Sequence, residues 1–268
     1  MKITADLSFV NTKTPFPAKA FAHHLAIVQI IRYAQIMKKL SILILSIVFI
    51  LSSCTVTESI KITGSSKGSS SSDINVEDFF IEVLEDFGEF LPSSDKSIMD
   101  EAMEGFAHQL STSPSSSGVL FKNLGDNHYM LDFSYSDMKA MMSDLGAANN
   151  TLITETENSF SFFVDINNFE ELTKIVPFLA DPNFEVYGPL YNQGMTEEEY
   201  LDMIYYLLGE EGPDAIKNGE VKVNIEVPGT ISSVEGAVKT GDRKAEFKFP
   251  IIDFLLLNKP ISFKVSWN

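Results

Sequence analysis

Residues 221–227 read Val221-Lys222-Val223-Asn224-Ile225-Glu226-Val227 and are followed by Pro228-Gly229. Apolar and polar side chains alternate here, which is typical of a strand with one buried face and one solvent-exposed face. The same alternation recurs over residues 245–249 and 261–267, with lysines among the polar positions. Turn residues at 241–243 and 259–260 separate these segments. The last fifty residues therefore predict strands of an antiparallel sheet.

Upstream of these strands, the apolar residues fall at steps of three and four. Residues 73–91 and 95–110 each carry such a stripe, which predicts two amphipathic helices joined as a hairpin. Further predicted elements are strands at 119–123, 128–135, 151–156 and 158–165, and helices at 138–145, 167–179, 197–208 and 214–218. We therefore expect an α+β fold, in which a single domain packs amphipathic helices on one face of an antiparallel sheet.

The one cysteine of the chain, Cys54, follows an apolar segment. Met37-Lys38-Lys39 gives a positive start, residues 40–51 are apolar, and small residues precede the cysteine. This twelve-residue run is shorter than the ~20 residues of a membrane-spanning helix, and the three-part pattern is that of an export signal. Leu51-Ser52-Ser53-Cys54 also resembles the bacterial lipobox. That resemblance implies cleavage between Ser53 and Cys54, attachment of a lipid to the Cys54 sulfur, and acylation of the new amino terminus by fatty acids such as palmitate.

These features divide the chain into four segments. Residues 1–36 are interpreted as an upstream extension that results from a misplaced start, and residues 37–53 as a lipoprotein signal peptide. Residues 54–72 comprise the lipidated cysteine and a Ser/Gly-rich stretch that predicts a flexible tether. The globular domain is expected over residues 73–268. An ordinary cleaved signal peptide, and an extended first part of the signal, stay open as alternatives.

The charge of the chain excludes one class of partner. The sequence has 20 Lys and Arg against 37 Asp and Glu. Cleavage before Cys54 would remove six of the bases and one acid, which leaves a formal charge near −22. Such a surface repels nucleic acid and anionic lipid headgroups, so we expect no nucleic-acid partner.

The sequence offers no catalytic constellation. Beyond Cys54 the histidines are His108 and His128, and neither stands at metal-ligand spacing from another ligand. We therefore expect no enzyme, no metal and no cofactor. A hydrolase that uses a pair of carboxylates stays open, because the sequence does not give the distances between acidic side chains.

A candidate interaction loop lies at residues 187–192. It reads Tyr187-Gly188-Pro189-Leu190-Tyr191-Asn192 and belongs to the densest mixture of Gly, Pro, Asn and Tyr downstream of Cys54. The residues singled out are Tyr187, Gly188, Pro189, Tyr191 and Asn192. We expect this loop to contact a ligand or a partner, since binding residues concentrate on loops held by a rigid scaffold.

Two further resemblances concern the carboxy-terminal half. The segment Val227-Pro228-Gly229-Thr230-Ile231, together with Gly236, Phe247, Pro250, Leu256, Pro260 and Trp267, resembles the carboxy-terminal sheet of LppM-like bacterial lipoproteins. The 187–192 loop and the Gly209-Glu210-Glu211-Gly212-Pro213 break are similar to uncharacterised lipoproteins of spirochaetes. These resemblances imply an anchored α+β domain with a lipid or glycolipid ligand, and they imply no catalytic residue.

The leading functional hypothesis is a membrane-anchored, non-enzymatic binding module. The chain has 21 Phe and 8 Tyr, more than a small two-layer core needs, and apolar clefts between layers are frequent ligand sites. We expect an apolar or lipid-like ligand between helices and sheet, in a protein of the bacterial cell envelope held at the periplasmic face or the cell surface. The alternative is an envelope assembly or surface-interaction lipoprotein, whose protein partner docks on residues 187–195 without any cavity.

Overall fold

A computed structural model describes residues 55–78, 81, 96–148, 151–176, 179 and 185–268. The predicted extension 1–36, the predicted signal peptide 37–53 and Cys54 lie outside these residues. So does most of the predicted first helix, residues 73–91. The chain from Ser53 to Asn268 forms a single unit by its internal contacts.

The described residues form eleven strands and six helices. The strands are β1 (Thr55–Gly64), β2 (Lys67–Asn75), β3 (Ser116–Gly125), β4 (His128–Tyr135), β5 (Ile153–Thr156), β6 (Ser159–Val164), β7 (Glu220–Glu226), β8 (Ile231–Glu235), β9 (Val238–Gly241), β10 (Lys244–Pro250) and β11 (Ile261–Trp267). The helices are α1 (Ile98–Thr112), α2 (Met138–Asp144), α3 (Phe169–Ile175), α4 (Glu197–Leu208), α5 (Glu211–Asn218) and α6 (Ile251–Leu256).

The prediction of a flexible tether over residues 54–72 is wrong. Thr55 to Asn75 forms an antiparallel hairpin of β1 and β2, whose register runs from the Thr55 and Asn75 pair to the Gly64 and Lys67 pair. The predicted domain start at Asp73 is wrong for the same reason, because Asp73 lies within β2. The physical cause is the alternation of Val56, Ile60 and Ile62 with polar residues, a period-two pattern that puts these three side chains on one face.

The strands belong to two sheets, and the α+β class is confirmed. The larger sheet has the order β3-β4-β2-β1-β7-β10-β9, and the smaller has the order β5-β6-β11-β8. Most pairs are antiparallel as expected, but β1 and β7 run parallel, with Val56 beside Val221 and Ile60 beside Ile225. The amino-terminal hairpin is thereby joined to the carboxy-terminal strands in one sheet.

We call the face of the larger sheet that carries Val56, Ile60 and Ile62 the inner face. The inner face packs on the smaller sheet, where the rings of Phe247 in β10 and Phe263 in β11 have centroids 5.0 Å apart. In the turn beyond Ile62, the Ser66 backbone N–H donates to Glu155 Oε1 in β5 of the smaller sheet at 2.9 Å. At the Val56 end the inner face is covered by helices, among them α4, α5 and α6. The inner face is therefore covered by a sheet at one end and by helices at the other.

No helix in the described part of the chain combines the length and the apolar composition that crossing a membrane requires.

The β1–β2 hairpin gives a testable prediction at two glycines. A Cβ on Gly68 would collide with the backbone carbonyl of Lys61 and with the hydroxyl of Tyr135, whereas a Cβ on Gly64 meets no atom within 4 Å. We expect Gly68→Ala to lower the free energy of unfolding by about 1–3 kcal/mol, as overpacking does. Gly64→Ala is the matched control and should change it much less. Urea denaturation measures both, and equal, negligible effects of the two substitutions would contradict the buried hairpin.

Candidate functional site

An apolar pocket of about 290 Å³ lies between the Val56 end of the inner face and the helices that cover it. Its lining combines three strands with residues from α1, α3, α4, α5 and α6 and from the 187–192 loop. The lining residues are Val56, Ile74, Asn75, Val76, Met99, Phe169, Leu179, Tyr187, Gly188, Pro189, Tyr200, Ile204, Leu208, Ala215, Ile216, Val221, Ile251, Phe254 and Leu255.

The sheet side of the pocket follows from strand register. Val56 in β1 pairs with Ile74 in β2 on one side and with Val221 in β7 on the other. Directly paired residues point to the same face of a sheet, so three branched apolar side chains lie side by side. They form a continuous apolar wall that spans the middle of the larger sheet.

The helix side of the pocket depends on a well-defined start of α4. The Glu199 backbone N–H donates to Thr196 Oγ1 at 3.3 Å, and the Thr196 backbone N–H donates to Glu199 Oε2 at 2.9 Å, which completes a capping box. The helix then presents Tyr200, Ile204 and Leu208 at four-residue steps, so all three lie on one face. Thr196 followed three residues later by Glu199 is the sequence pattern that predicts a capping box, and the structure confirms it.

The candidate loop forms part of the pocket wall. Tyr187, Gly188 and Pro189 line the pocket. Asn192 is buried instead, and its Nδ2 donates to the carbonyls of Val186 at 3.0 Å and Gly188 at 2.9 Å. Of the five singled-out residues, three therefore border the cavity and Asn192 holds their backbone in place. Tyr191 points outward and is 69% exposed.

A hydrogen bond from α4 also holds the loop. The hydroxyl of Tyr200 donates to the carbonyl of Tyr187 at 2.9 Å. Burial raises the pKa of both phenols, so the hydroxyls are uncharged at neutral pH. Two tyrosines thus contribute ring surface to the pocket without contributing charge.

The chemistry of the lining selects the ligand class. Among the residues that the structure describes, no side chain of the lining carries a charge, and Asn75 supplies the one side-chain amide. A charged group inside this pocket would lose its hydration without gaining a partner, which is strongly unfavourable. For comparison, an apolar cavity of about 150 Å³ can hold one benzene molecule. The pocket therefore fits a hydrocarbon segment of several carbons.

A second buried feature lies along the inner face beyond the pocket. The carboxylate of Glu58 accepts hydrogen bonds from the hydroxyls of Ser70 and Ser72 in the neighbouring strand. Burial raises the pKa of Glu58, and the negative charge of Asp132 adds to the rise, while the two serine hydroxyls oppose it. The serines that suggested a tether thus solvate an acidic side chain inside the sheet.

Glu58 makes stability depend on pH. Because its pKa is higher in the folded chain than its ordinary value of 4.5, its contribution is fully present below that value and is lost as pH rises through the folded pKa. We expect Glu58→Gln to reduce the fall in the free energy of unfolding between about pH 4 and about pH 8. Part of the fall should remain in the Glu58→Gln variant, because burial also raises the pKa of Glu155. Denaturant titrations across the range measure it.

Glu157→Gln at an exposed turn is the control for this prediction and should leave the pH profile unchanged. A profile of Glu58→Gln that coincides with that of the unsubstituted chain would contradict the burial of Glu58.

The histidines considered in the sequence lie away from the pocket lining. His128 Nε2 lies 3.0 Å from Asp73 Oδ1 in an exposed pair, and His108 is exposed on α1. Within the described ranges, no three His, Cys, Asp or Glu side chains are grouped closely enough to hold a metal ion. Ser53 and Cys54, the predicted cleavage and lipidation residues, lie outside those ranges.

The sequence interpretation missed much of the pocket wall. Val56 fell in the predicted tether, and Ile74 fell in a predicted helix rather than in β2. The alternation of Val56, Ile60 and Ile62 was a usable signal for the strand. Phe254 and Leu255 on α6 gave no comparable signal, because a six-residue helix is too short to show a helical stripe.

Comparison with known proteins adds one structural similarity. No family model matches the chain, and no curated protein matches it in sequence. Among solved structures, it is similar to the NMR structure of the folded domain of LppM from Mycobacterium tuberculosis. The identity is 10%, the TM-score is 0.37, and the match covers 80% of this chain and 89% of that one.

Proposed function

We propose that this protein is a membrane-anchored, non-enzymatic binding module that holds an apolar or lipid-like ligand in the pocket between its central sheet and helices α4–α6. The observation that carries the proposal is a cavity of about 290 Å³ whose described lining residues are all uncharged. The loop at 187–192 forms part of the pocket wall, and Asn192 holds the backbone of this loop in place. The role of the protein is to hold a hydrocarbon segment away from water.

The energetics of such binding are favourable. Each CH₂ group that leaves water for an apolar site contributes about 0.8 kcal/mol. A hydrocarbon segment of five or six carbons therefore contributes roughly 4–5 kcal/mol, from which the cost of immobilising the ligand is subtracted. Because the walls include three paired strands of the central sheet and the capped helix α4, little further order has to be imposed on the protein.

The proposed anchor is a lipid on Cys54. The apolar segment at 40–51 and the lipobox-like Leu51-Ser52-Ser53-Cys54 support it. Several acyl chains on one amino terminus give stable membrane attachment, whereas one chain alone is marginal. The bacterial cell envelope is accordingly the proposed location, and its lipids are the nearest source of hydrocarbon ligand.

The second candidate is an envelope assembly or surface-interaction lipoprotein whose protein partner docks on residues 187–195. The exposure of Tyr191 favours it, since a large aromatic side chain in solvent is typical of interface anchors. The two candidates differ in the use of the pocket. A protein partner on Tyr191 leaves the cavity empty, whereas a lipid-like ligand fills it.

Native mass spectrometry of the chain purified from its own membranes tests the proposal. The protein mass reports acylation of Cys54, and a stoichiometric adduct that organic extraction releases reports the ligand. We expect both. An acylated chain with no adduct, even after incubation with envelope lipid extract, would refute the ligand and favour the protein partner. A chain cleaved or uncleaved but without acyl mass would refute the anchor.

Blocking the pocket gives the corresponding prediction. Ala215 on α5 lines the cavity, so Ala215→Phe should fill part of it and lower the affinity for Nile red, a neutral apolar dye, at least about tenfold, or ~1.4 kcal/mol. Fluorescence titration of the full chain measures the affinity, and circular dichroism verifies the fold.

Asn218→Phe places the same ring at an exposed position of the same helix and serves as the control. It should leave the dye affinity near that of the unsubstituted chain. Equal affinities of the two folded variants would contradict dye binding in this pocket.

A further inference from the structure

The first strand leaves no spacer between Cys54 and the folded domain. Thr55, the residue after Cys54, is the first residue of β1. Val56, the next residue, lines the apolar pocket. Two peptide units span at most about 7 Å, so the Cα atom of Val56 lies within about that distance of the Cα atom of Cys54. A lipid on Cys54 therefore enters the membrane beside the pocket.

We propose that the pocket-bearing end of the domain rests in the membrane–water interface, with the last turn of α4 in contact with lipid. The partner surface is a bilayer of net neutral headgroups. This inference rests on the proposed acylation of Cys54 and adds to it the orientation of the domain and the residues that touch the membrane.

An exposed aromatic patch lies at the same end of the domain. We call Tyr205, Tyr206 and Leu207 the α4 tip. Their exposed fractions are 47%, 84% and 53%, and they stand between Ile204 and Leu208, which line the pocket. Tyrosine rings favour the membrane interface, because one end of the side chain is apolar and the other binds water. The α4 tip therefore lies on the same helical turn as two pocket-lining residues, on the exposed side of that turn, and suits the headgroup region.

The charges around the α4 tip determine which type of lipid headgroup it can contact. Glu210 and Glu211 follow Leu207 within four residues and carry negative charge beside it. Negative charge close to an anionic lipid surface is repelled over about one Debye length, ~8 Å at physiological salt. Zwitterionic headgroups carry no net charge and avoid this repulsion. We therefore expect the α4 tip to contact bilayers of net neutral lipid and to be repelled from the surface of anionic bilayers.

The opposite end of β1 provides an internal reference. The strand is ten residues long, so its far end lies about 30 Å from Thr55. Ser65 is exposed in the β1–β2 turn there. If the Val56 end rests on the membrane, Ser65 is held well outside it.

Quenching by brominated lipid tests the orientation. Tyr206→Trp and Ser65→Trp are prepared in the full acylated chain and reconstituted in phosphatidylcholine vesicles that carry bromine on their acyl chains. Trp267, the one native tryptophan, is buried, and its emission is subtracted with the unsubstituted chain. We expect the Tyr206→Trp variant to lose most of its added emission and the Ser65→Trp variant to lose little. Adding anionic phosphatidylglycerol should reduce the quenching of the Tyr206→Trp variant.

Several results would refute the proposed orientation of the domain on the membrane. Equal quenching of the two variants, or none in either, refutes it, as does an α4 tip protected by a second copy of the chain that cross-linking detects. The proposed ligand is tested apart from this, because the adduct in native mass spectrometry does not depend on orientation. A reconstituted chain without acyl mass refutes the orientation together with the anchor.

Discussion

The parallel pairing of β1 with β7 is the contact on which the rest of the structure depends. It joins residues 55–61 to residues 220–226, more than 150 positions later in the chain. Closing so large a loop costs conformational entropy. The half-buried pair Val56 with Val221, and the pair of half-buried Ile60 with buried Ile225, offset that cost. Without this contact, the amino-terminal hairpin and the carboxy-terminal strands would not share a sheet. The pocket would then lack the middle of its wall.

The same pairing relates the anchor to the pocket. Because β1 starts directly after Cys54 and lies in the middle of the sheet, the apolar wall begins at the residue after Thr55. A domain at the end of a long tether could present any face to the membrane. Here the chain between the proposed anchor and the fold is too short for that freedom. The exposed tyrosines of α4 and the described, uncharged residues of the pocket lining lie at the Val56 end of the domain. This is the end that the proposed lipid anchor on Cys54 would hold next to the membrane.

The sequence predicted those elements whose pattern lies in neighbouring residues, and it did not predict contacts between residues far apart in the chain. Strands such as Ile261–Trp267 and helix α4 with its capping box were predicted, since alternation and capping are read from neighbouring residues. The β1–β2 hairpin was not, because Ser69 to Ser72 has the composition of a linker. Two of its half-buried serines, Ser70 and Ser72, donate to the carboxylate of Glu58 across the strand pair. That partner is twelve or more positions away and is chosen by register. The 187–192 loop was identified from its composition, whereas its border with the pocket depends on Asn192 and Tyr200 holding its backbone.

Hydrogen–deuterium exchange over residues 55–75 of the full chain tests the central claim most directly. The backbone amides of β2 face β1 on one side and β4 on the other, and amides in such a central strand exchange only through large openings of the structure. We predict that peptides covering Ser69–Ser72 exchange as slowly as those of β7. Exchange at the rate of an unstructured serine-rich peptide would contradict the β1–β2 hairpin. It would also contradict the position of the pocket beside Cys54, because Val56 and Ile74 of this hairpin line the pocket.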